Sequence, residues 1–263
     1  MTKDYAKPEE FTTLELMAVC GSRQIQNGNV VFIGTGLPLI AAMLAKKMHA
    51  PAARIVYEAG FIDSNAKEIA CSIADSRLGY RASAAIGLIE TLGLMLQGGH
   101  VDLGFVGAAQ IDEYGNINTT YIGSFDKPTV RLPGSGGGND IISSAKRIVA
   151  IMTHEKRKMV KKLDYLTSPG FLDGPGAREK AGLLGGGPSL VVTNLCQMDF
   201  DPTTKRIRLS TVHPGVTVEQ VLENSGFDLI VPKQVPTTEP PTHEQLKLLE
   251  TIDPDGIYIP RTK

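Results

Sequence analysis

The chain has 263 residues, 42% hydrophobic and 21% charged, with a formal net charge of −1. That balance is ordinary for a globular protein and offers no electrostatic reason to bind nucleic acid or an anionic membrane surface. No apolar run approaches the length of a membrane span and the polar first residues do not read as a signal peptide, so the expectation is a cytoplasmic protein with no membrane partner.

The three cysteines, Cys20, Cys71 and Cys196, lie far apart in no CxxC or Cys/His spacing. They are expected as free buried thiols, and no metal site is expected. The 28 glycines imply many tight turns.

Residues 10–26 place Leu14, Met17, Ala18 and Ile25 at roughly helical spacing, which predicts an amphipathic helix stopped by Asn27-Gly28. Residues 29–33 read as a buried strand, followed by the turn Gly34-Thr35-Gly36 and a helix over 37–49. Leu39 stands where a dinucleotide fingerprint wants its third glycine, so a nucleotide site is not supported there. Gly34, Thr35 and Gly36 are instead secondary candidates for lining a pocket.

Arg54-Ile55-Val56-Tyr57 is a second short strand, and Glu58-Ala59-Gly60 puts a carboxylate and a sharp turn at its end. Ligands gather at the carboxyl ends of strands in open α/β sheets, so Glu58 is a candidate for chemistry; alone, it could equally be solvated or cap a helix. Residues 61–83 are looser, and 84–96 read as a helix or a strand–helix mixture. Residues 101–106 are a strand running into Gly107-Ala108, and 111–118 contain a turn at Glu113-Tyr114-Gly115-Asn116. Asn118-Thr119-Thr120 matches a glycosylation acceptor, read here as chance.

Residues 129–132 form a strand before the cluster Gly134-Ser135-Gly136-Gly137-Gly138, which leads into a helix and lacks the Gly-Lys-Ser/Thr ending of a nucleotide loop. Such a cluster presents backbone N–H groups to a transient oxyanion or a carboxylate. A strand follows at 147–152, then the charge run 154–158, expected on a solvated face. Residues 163–187 are loop-rich, 189–193 return to strand, and 198–209 read as a hairpin around Asp201-Pro202-Thr203. Helices are expected at 217–224, capped by Thr217, and at 243–250. The pattern predicts an α/β fold: an open, mostly parallel sheet with flanking helices plus a small hairpin, in one domain over 1–263.

Gly98-Gly-His-Val-Asp-Leu-Gly-Phe-Val-Gly-Ala-Ala-Gln-Ile-Asp-Glu-Tyr-Gly-Asn-Ile117 resembles the signature of class I CoA-transferases. Glu58-Ala59-Gly60 is similar to that family's active-site Glu-x-Gly segment, and residues 134–140 to its second glycine loop. Residues 154–157 and 163–176 resemble the glutaconate CoA-transferase β subunit in particular. The resemblance implies a CoA-transferase-like fold and transfer of CoA from an acyl-CoA to a short dicarboxylate or related acid. It implies Glu58 as nucleophile, Gly137 as an oxyanion donor with Gly136 beside it, and Gly107 and Ala108 as wall of the thioester pocket. It implies CoA thioesters as substrates rather than a resident cofactor, and an α subunit as partner in an α2β2 or larger hetero-oligomer. Relatives of the glutaconate type that act as hydrolases or decarboxylases, and an acyl-CoA-binding subunit without catalysis, are the alternatives. Residues 163–187 are expected in partner contact or substrate gating; His154 and Asp140 are expected in capping or structural roles.

Overall fold

The computed structural model describes residues 3–64 and 68–260. Its helices are α1 (Thr13–Ser22), α2 (Leu37–Lys47), α3 (Gly138–Ser144), α4 (Ala177–Lys180), α5 (Val218–Glu223) and α6 (His243–Ile252). The strands are β1 (Val30–Ile33), β2 (Arg54–Tyr57), β3 (Phe61–Ile62), β4 (Ala84–Ala85), β5 (Leu103–Val106), β6 (Gln110–Ile111), β7 (Ile117–Asn118), β8 (Tyr121–Gly123), β9 (Pro128–Arg131), β10 (Ile148–Ile151), β11 (Pro188–Val192), β12 (Cys196–Phe200) and β13 (Ile207–Val212). Within the expected span of 1–263 the chain gathers into two units, one of residues 1–105 with 239–263 and the other of residues 106–238.

In the first unit α1 starts at Thr12, whose hydroxyl accepts from the Glu15 N–H at 3.3 Å while the Glu15 carboxylate accepts from the Thr12 N–H at 2.6 Å. This reciprocal pair satisfies amide donors that the first helical turn leaves unbonded. The helix is shorter than expected and is not amphipathic, because every residue from Leu16 to Ser22 is buried. Small residues there, Ala18 and Gly21, allow close approach on all sides, and α2 is the neighbour against which it packs. Helix α2 buries Leu39, Ile40, Ala41, Ala42, Leu44 and Ala45. Its last turn carries Lys46, which donates to Ala53 O at 2.7 Å and pairs with Asp63. Helix α6 packs on α2, and Arg23 holds the chain that leads into it through the carbonyls of Glu239 and Pro240 at 2.6 and 2.7 Å.

The sheet of this unit runs β5-β1-β2-β3-β4. β1 is parallel to both β2 and β5, and β3 and β4 extend it antiparallel. The strand–helix mixture expected at 84–96 is resolved as β4 followed by a π-type helix over Glu90–Gln97.

In the second unit β10 is parallel to β11, while β12 and β13 continue antiparallel from it. A parallel core with antiparallel margins, with helices against it, is the α/β architecture expected. Two small hairpins, β6–β7 and β8–β9, stand apart from the sheet. The expected hairpin around Asp201 is β12–β13, and the Asp201 carboxylate accepts from the Thr203 and Thr204 amides at 3.1 and 2.7 Å to close its turn. Helix α5 has its expected cap, the Thr217 hydroxyl accepting from Gln220 N at 3.2 Å.

The charge run 154–158 is solvated only in part. His154 is 2% exposed, its Nδ1 3.3 Å from Thr193 Oγ1 and its Nε2 3.0 Å from Ser225 Oγ. Burial in that shell pushes the imidazole down to about 4. The expectation of three buried thiols also needs correction, since Cys20 and Cys196 are buried but Cys71 is exposed. Burial pushes both enclosed thiols up to about 12. No helix among the described residues is long and apolar enough to cross a membrane.

Candidate functional site

In the first unit β1 and β2 lie side by side in parallel, with Ile33 opposite Tyr57. The residues that follow, Gly34 and Glu58, therefore leave neighbouring strands at the same carboxyl end, about 4.8 Å apart in strand spacing. The sequence candidates Gly34, Thr35 and Gly36 and the candidate Glu58 are thus brought together. All four are half-buried. Gly36 caps α2 with φ +88°, a conformation that disfavours any side chain.

The looser stretch expected after Glu58 begins only past β3. Glu58 occupies a tight reversal between β2 and β3, with Val56 opposite Ile62. The Gly60 N–H donates to Tyr57 O at 2.8 Å, and Gly60 O accepts from Ile86 N at 3.0 Å. Gly60 has φ +94°, and a Cβ there would lie 1.9 Å from Ile86 O. Only glycine fits, and the turn that presents Glu58 is fixed by it.

In the second unit the glycine cluster is an anchored loop. Gly134 N–H donates to Thr119 O at 2.8 Å, and the Thr119 hydroxyl donates back to Gly134 O at 2.8 Å. Gly138 N–H donates to Ser135 O at 2.9 Å, and Asn139 N–H to Ser135 Oγ at 3.0 Å. Gly136 is exposed with φ +48°; Gly137 is buried, adopts helical backbone and caps α3. Gly107 and Ala108 follow β5, exposed and half-buried. They connect to the glycine loop through their neighbour: Ala109 N–H donates to Asn118 O at 3.2 Å, and Thr119 comes next. Asp140 stands in the first turn of α3, where a carboxylate suits the amide dipoles.

Several residues of this region escaped the sequence reading. Asn118 is fully buried, donating to Gln110 Oε1 at 2.8 Å and Tyr121 O at 2.7 Å, so it is a core amide and not an exposed glycosylation acceptor. Thr167 accepts from Thr119 N at 2.9 Å through its hydroxyl and from Asn139 Nδ2 at 2.8 Å through its carbonyl. Asn116 binds the loop-rich stretch to the β6–β7 hairpin, its Oδ1 accepting from Gly170 N at 2.8 Å and Leu172 N at 3.0 Å. Asp112 underlies that turn, accepting from Tyr114 N, Asn116 N and Asn116 Nδ2; burial raises its carboxyl above the usual range against those bonds. Among the described residues no group of three or more His, Cys, Asp or Glu is arranged to hold a metal ion.

The model of the Coenzyme A transferase family matches residues 14–224. The β chain of glutaconate CoA-transferase from Acidaminococcus fermentans is 43% identical over 255 residues, 95% of either chain. The β chain of 3-oxoadipate CoA-transferase from Pseudomonas knackmussii is 40% identical over 243 residues, 92% of this chain and 94% of that one. The crystal structure of glutaconate coenzyme A-transferase from A. fermentans superposes with a TM-score of 0.90 at 38% identity, covering 99% of this chain and 100% of that chain.

Proposed function

The chain belongs to the coenzyme A transferase family, and from that premise we propose that it is the β subunit of an enzyme that moves CoA from an acyl-CoA to a carboxylic acid through a thioester on Glu58. The observation that carries this reading is the placement of Glu58: a carboxylate in a glycine-locked turn at the carboxyl end of β2, beside the Gly34–Gly36 turn.

The steps close on themselves. The Glu58 carboxylate attacks the thioester carbonyl, giving an acyl-glutamyl anhydride and CoA thiolate. The thiolate attacks the glutamyl carbonyl, forming the Glu58–CoA thioester and releasing the first acid. The second acid attacks that thioester, regenerating an anhydride and thiolate. The thiolate then takes the new acyl group and frees Glu58. Each attack passes through a tetrahedral oxyanion that calls for a preorganised donor. The backbone at Gly137 is our candidate, with Gly136 beside it and Gly107 and Ala108 as pocket wall. Coenzyme A thioesters enter as substrates, and no resident cofactor is invoked.

Glutaconate and 3-oxoadipate are both dicarboxylates, which supports a short dicarboxylate or a related acid as substrate. Both relatives are named as the β-type chain of their enzymes, which supports an α-type partner completing the site in a hetero-oligomer, with α2β2 as the simplest assembly. Free thiols and the absence of a long apolar helix among the described residues fit a cytoplasmic location.

The test is mass spectrometry of the Glu58 peptide after the assembled protein meets a panel of short acyl-CoAs, with borohydride trapping. A Glu58–CoA adduct before reduction, or the alcohol at residue 58 after borohydride has reduced the thioester and released CoA, is expected and should disappear on adding acceptor acid, and Glu58→Gln should lower turnover by about 10³-fold or more. Free CoA released with no adduct and no acceptor would point to a hydrolase, and CO2 released with the thioester left intact would point to a decarboxylase. Stoichiometric acyl-CoA binding without turnover would leave a protein that only binds.

A further inference from the structure

Helix α3 has only seven residues. A helix that short does not stand by its own cooperativity, and its last carbonyls find no partner within it. What holds it comes from the irregular stretch 163–187. At its start, the Asn139 side chain donates to Thr167 O at 2.8 Å. At its end, Ser143 O accepts from Gly185 N at 2.8 Å and from Arg178 Nη2 at 3.3 Å, and Ile142 O accepts from Arg178 Nη2 at 3.0 Å.

Arg178 is 3% exposed, and its N–H groups all aim at backbone carbonyls. Nη1 donates to Pro169 O and Gly170 O at 3.0 and 2.8 Å. Nη2 donates to Gly185 O at 3.0 Å besides Ile142 and Ser143, and Nε reaches Gly185 O at 3.3 Å. A planar fork of five donors is thus spent on joining three separate segments: the 169–170 turn, the final turn of α3, and the 185 turn. An apolar side chain would fill the same space without the cost of burying a cation. The arrangement makes sense as a constraint on where those carbonyls stand.

We propose that Arg178 is a positioning residue for the proposed transfer reaction: by clamping the C-terminal end of α3, it sets the pose of the glycine loop at residues 134–138. The inference rests on the functional reading of that loop given above. Gly137 caps α3 and Gly138 is its first residue, so a shift of the helix moves the loop with it. Reacting groups displaced by about 1 Å can cost about 10²-fold in rate. The clamp also gives the loop-rich stretch a role, since it grips α3 at both ends, through Thr167 at one and Arg178 with Gly185 at the other.

The experiment uses the protein assembled with its α-type partner and compares wild type with Arg178→Lys and Asn139→Ala. Lysine keeps the charge but has no planar fork. Two quantities are read: amide hydrogen exchange by peptide, and the single-turnover rate of the borohydride-trapped Glu58 adduct against acyl-CoA concentration. For Arg178→Lys the expected result is faster exchange confined to residues 134–145, with 148–151 and 207–212 as in wild type. The saturating rate should fall about 10- to 100-fold with half-saturation changed less than about threefold, since the loop would act on the transition state more than on ground-state binding. Unchanged exchange at 134–145, an unchanged saturating rate, or exchange rising evenly through residues 106–238 would overturn the proposal; the last would mean a packing role only. Should Arg178→Lys fail to assemble, Asn139→Ala removes the side-chain donor to Thr167 O, loosens the opposite end of α3 and is judged by the same two readouts. A wild-type protein that never forms the adduct would refute the Glu58 reading, and the exchange pattern would still decide whether Arg178 holds the loop.

Discussion

Replacing Gly60 by alanine should destabilise the protein and displace Glu58 together. The new Cβ would stand 1.9 Å from Ile86 O, where real Cβ atoms keep at least 3.0 Å, so backbone has to move by 1.1 Å (3.0 − 1.9) or more. The carbonyl cannot simply step aside, because Ile86 N–H is bonded to Gly60 O at 3.0 Å and the pair joins the β2–β3 turn to β4. Holding alanine at φ +94° adds about 1–2 kcal/mol, and forced overpacking about 1–3 kcal/mol. The sum is about 2–5 kcal/mol, a large share of a typical folding stability. At about 2–4 °C per kcal/mol, a loss of about 3 kcal/mol lowers Tm by about 6–12 °C. Gly34→Ala is the control: its Cβ would meet nothing within 4 Å, and it sits at the same strand ends. Melting followed by far-UV circular dichroism suits a chain that has no tryptophan. If Gly60→Ala melts within about 1 °C of Gly34→Ala, the claim that this glycine locks the turn is wrong.

Three further outcomes follow from the buried polar groups. His154 is held neutral down to about 4, below an unfolded value of about 6.5, so its share of stability is full above pH 6.5 and is lost as pH falls from there toward 4. Between pH 7 and pH 5 this should cost about 2 kcal/mol in urea unfolding; His213, also lowered by burial, adds a loss of the same sign. His154→Asn should flatten that acid limb, and a limb parallel to wild type would refute the assignment. Of the three thiols, Cys71 alone should react promptly with a thiol reagent in the native chain, all three after unfolding; prompt reaction of Cys20 or Cys196 would contradict their enclosure. Asn118→Ala should cost about 2–4 kcal/mol, because it strips partners from Gln110, Tyr121 O and Thr120 N–H at once; a loss below about 0.5 kcal/mol would mean those groups find other partners.

How far the sequence could be read followed the range over which each signal acts. β2 and the turn after it were legible because three β-formers, a carboxylate and Ala-Gly stand in one short run. The caps of α5 and the hairpin turn at Asp201 were legible because each is closed by a side chain within three residues of its partner. β3 was not, since two residues carry no periodicity and its pairing with β4 is decided by partners up to 24 positions apart, as with Phe61 and Ala85. α1 was misread as amphipathic because helical spacing of apolar residues says which face must be buried, not whether the opposite face is covered too. His154 looked solvated from its charged neighbours, yet its enclosure comes from Thr193 and Ser225, 39 and 71 positions away. Arg178 had no signal at all, because its partners are carbonyls, which every residue possesses.

This difference in range also bears on where the chemistry lies. Strongly shifted ionisable groups often mark active sites, and here the buried ones are His154, Cys196, Cys20 and Tyr57, of which only Tyr57, next to Glu58, stands at the candidate site. Desolvation is the leading cause at all four, and the imidazole and the Cys196 thiol stand among hydroxyls and carbonyls of the core. A carboxylate nucleophile asks for something else. It needs no base and no altered proton affinity, only a fixed direction of attack, an oxyanion donor and exclusion of water. On the proposed function, backbone geometry would supply the first, through a turn where only glycine fits at residue 60. On the same proposal it would supply the second through a glycine loop anchored by the Thr119 carbonyl and by the Thr119 and Ser135 hydroxyls. In such a site the informative residues are those that leave no room for alternatives, and Gly60 and Arg178 are the two that most constrain how Glu58 and the loop at 134–138 are presented.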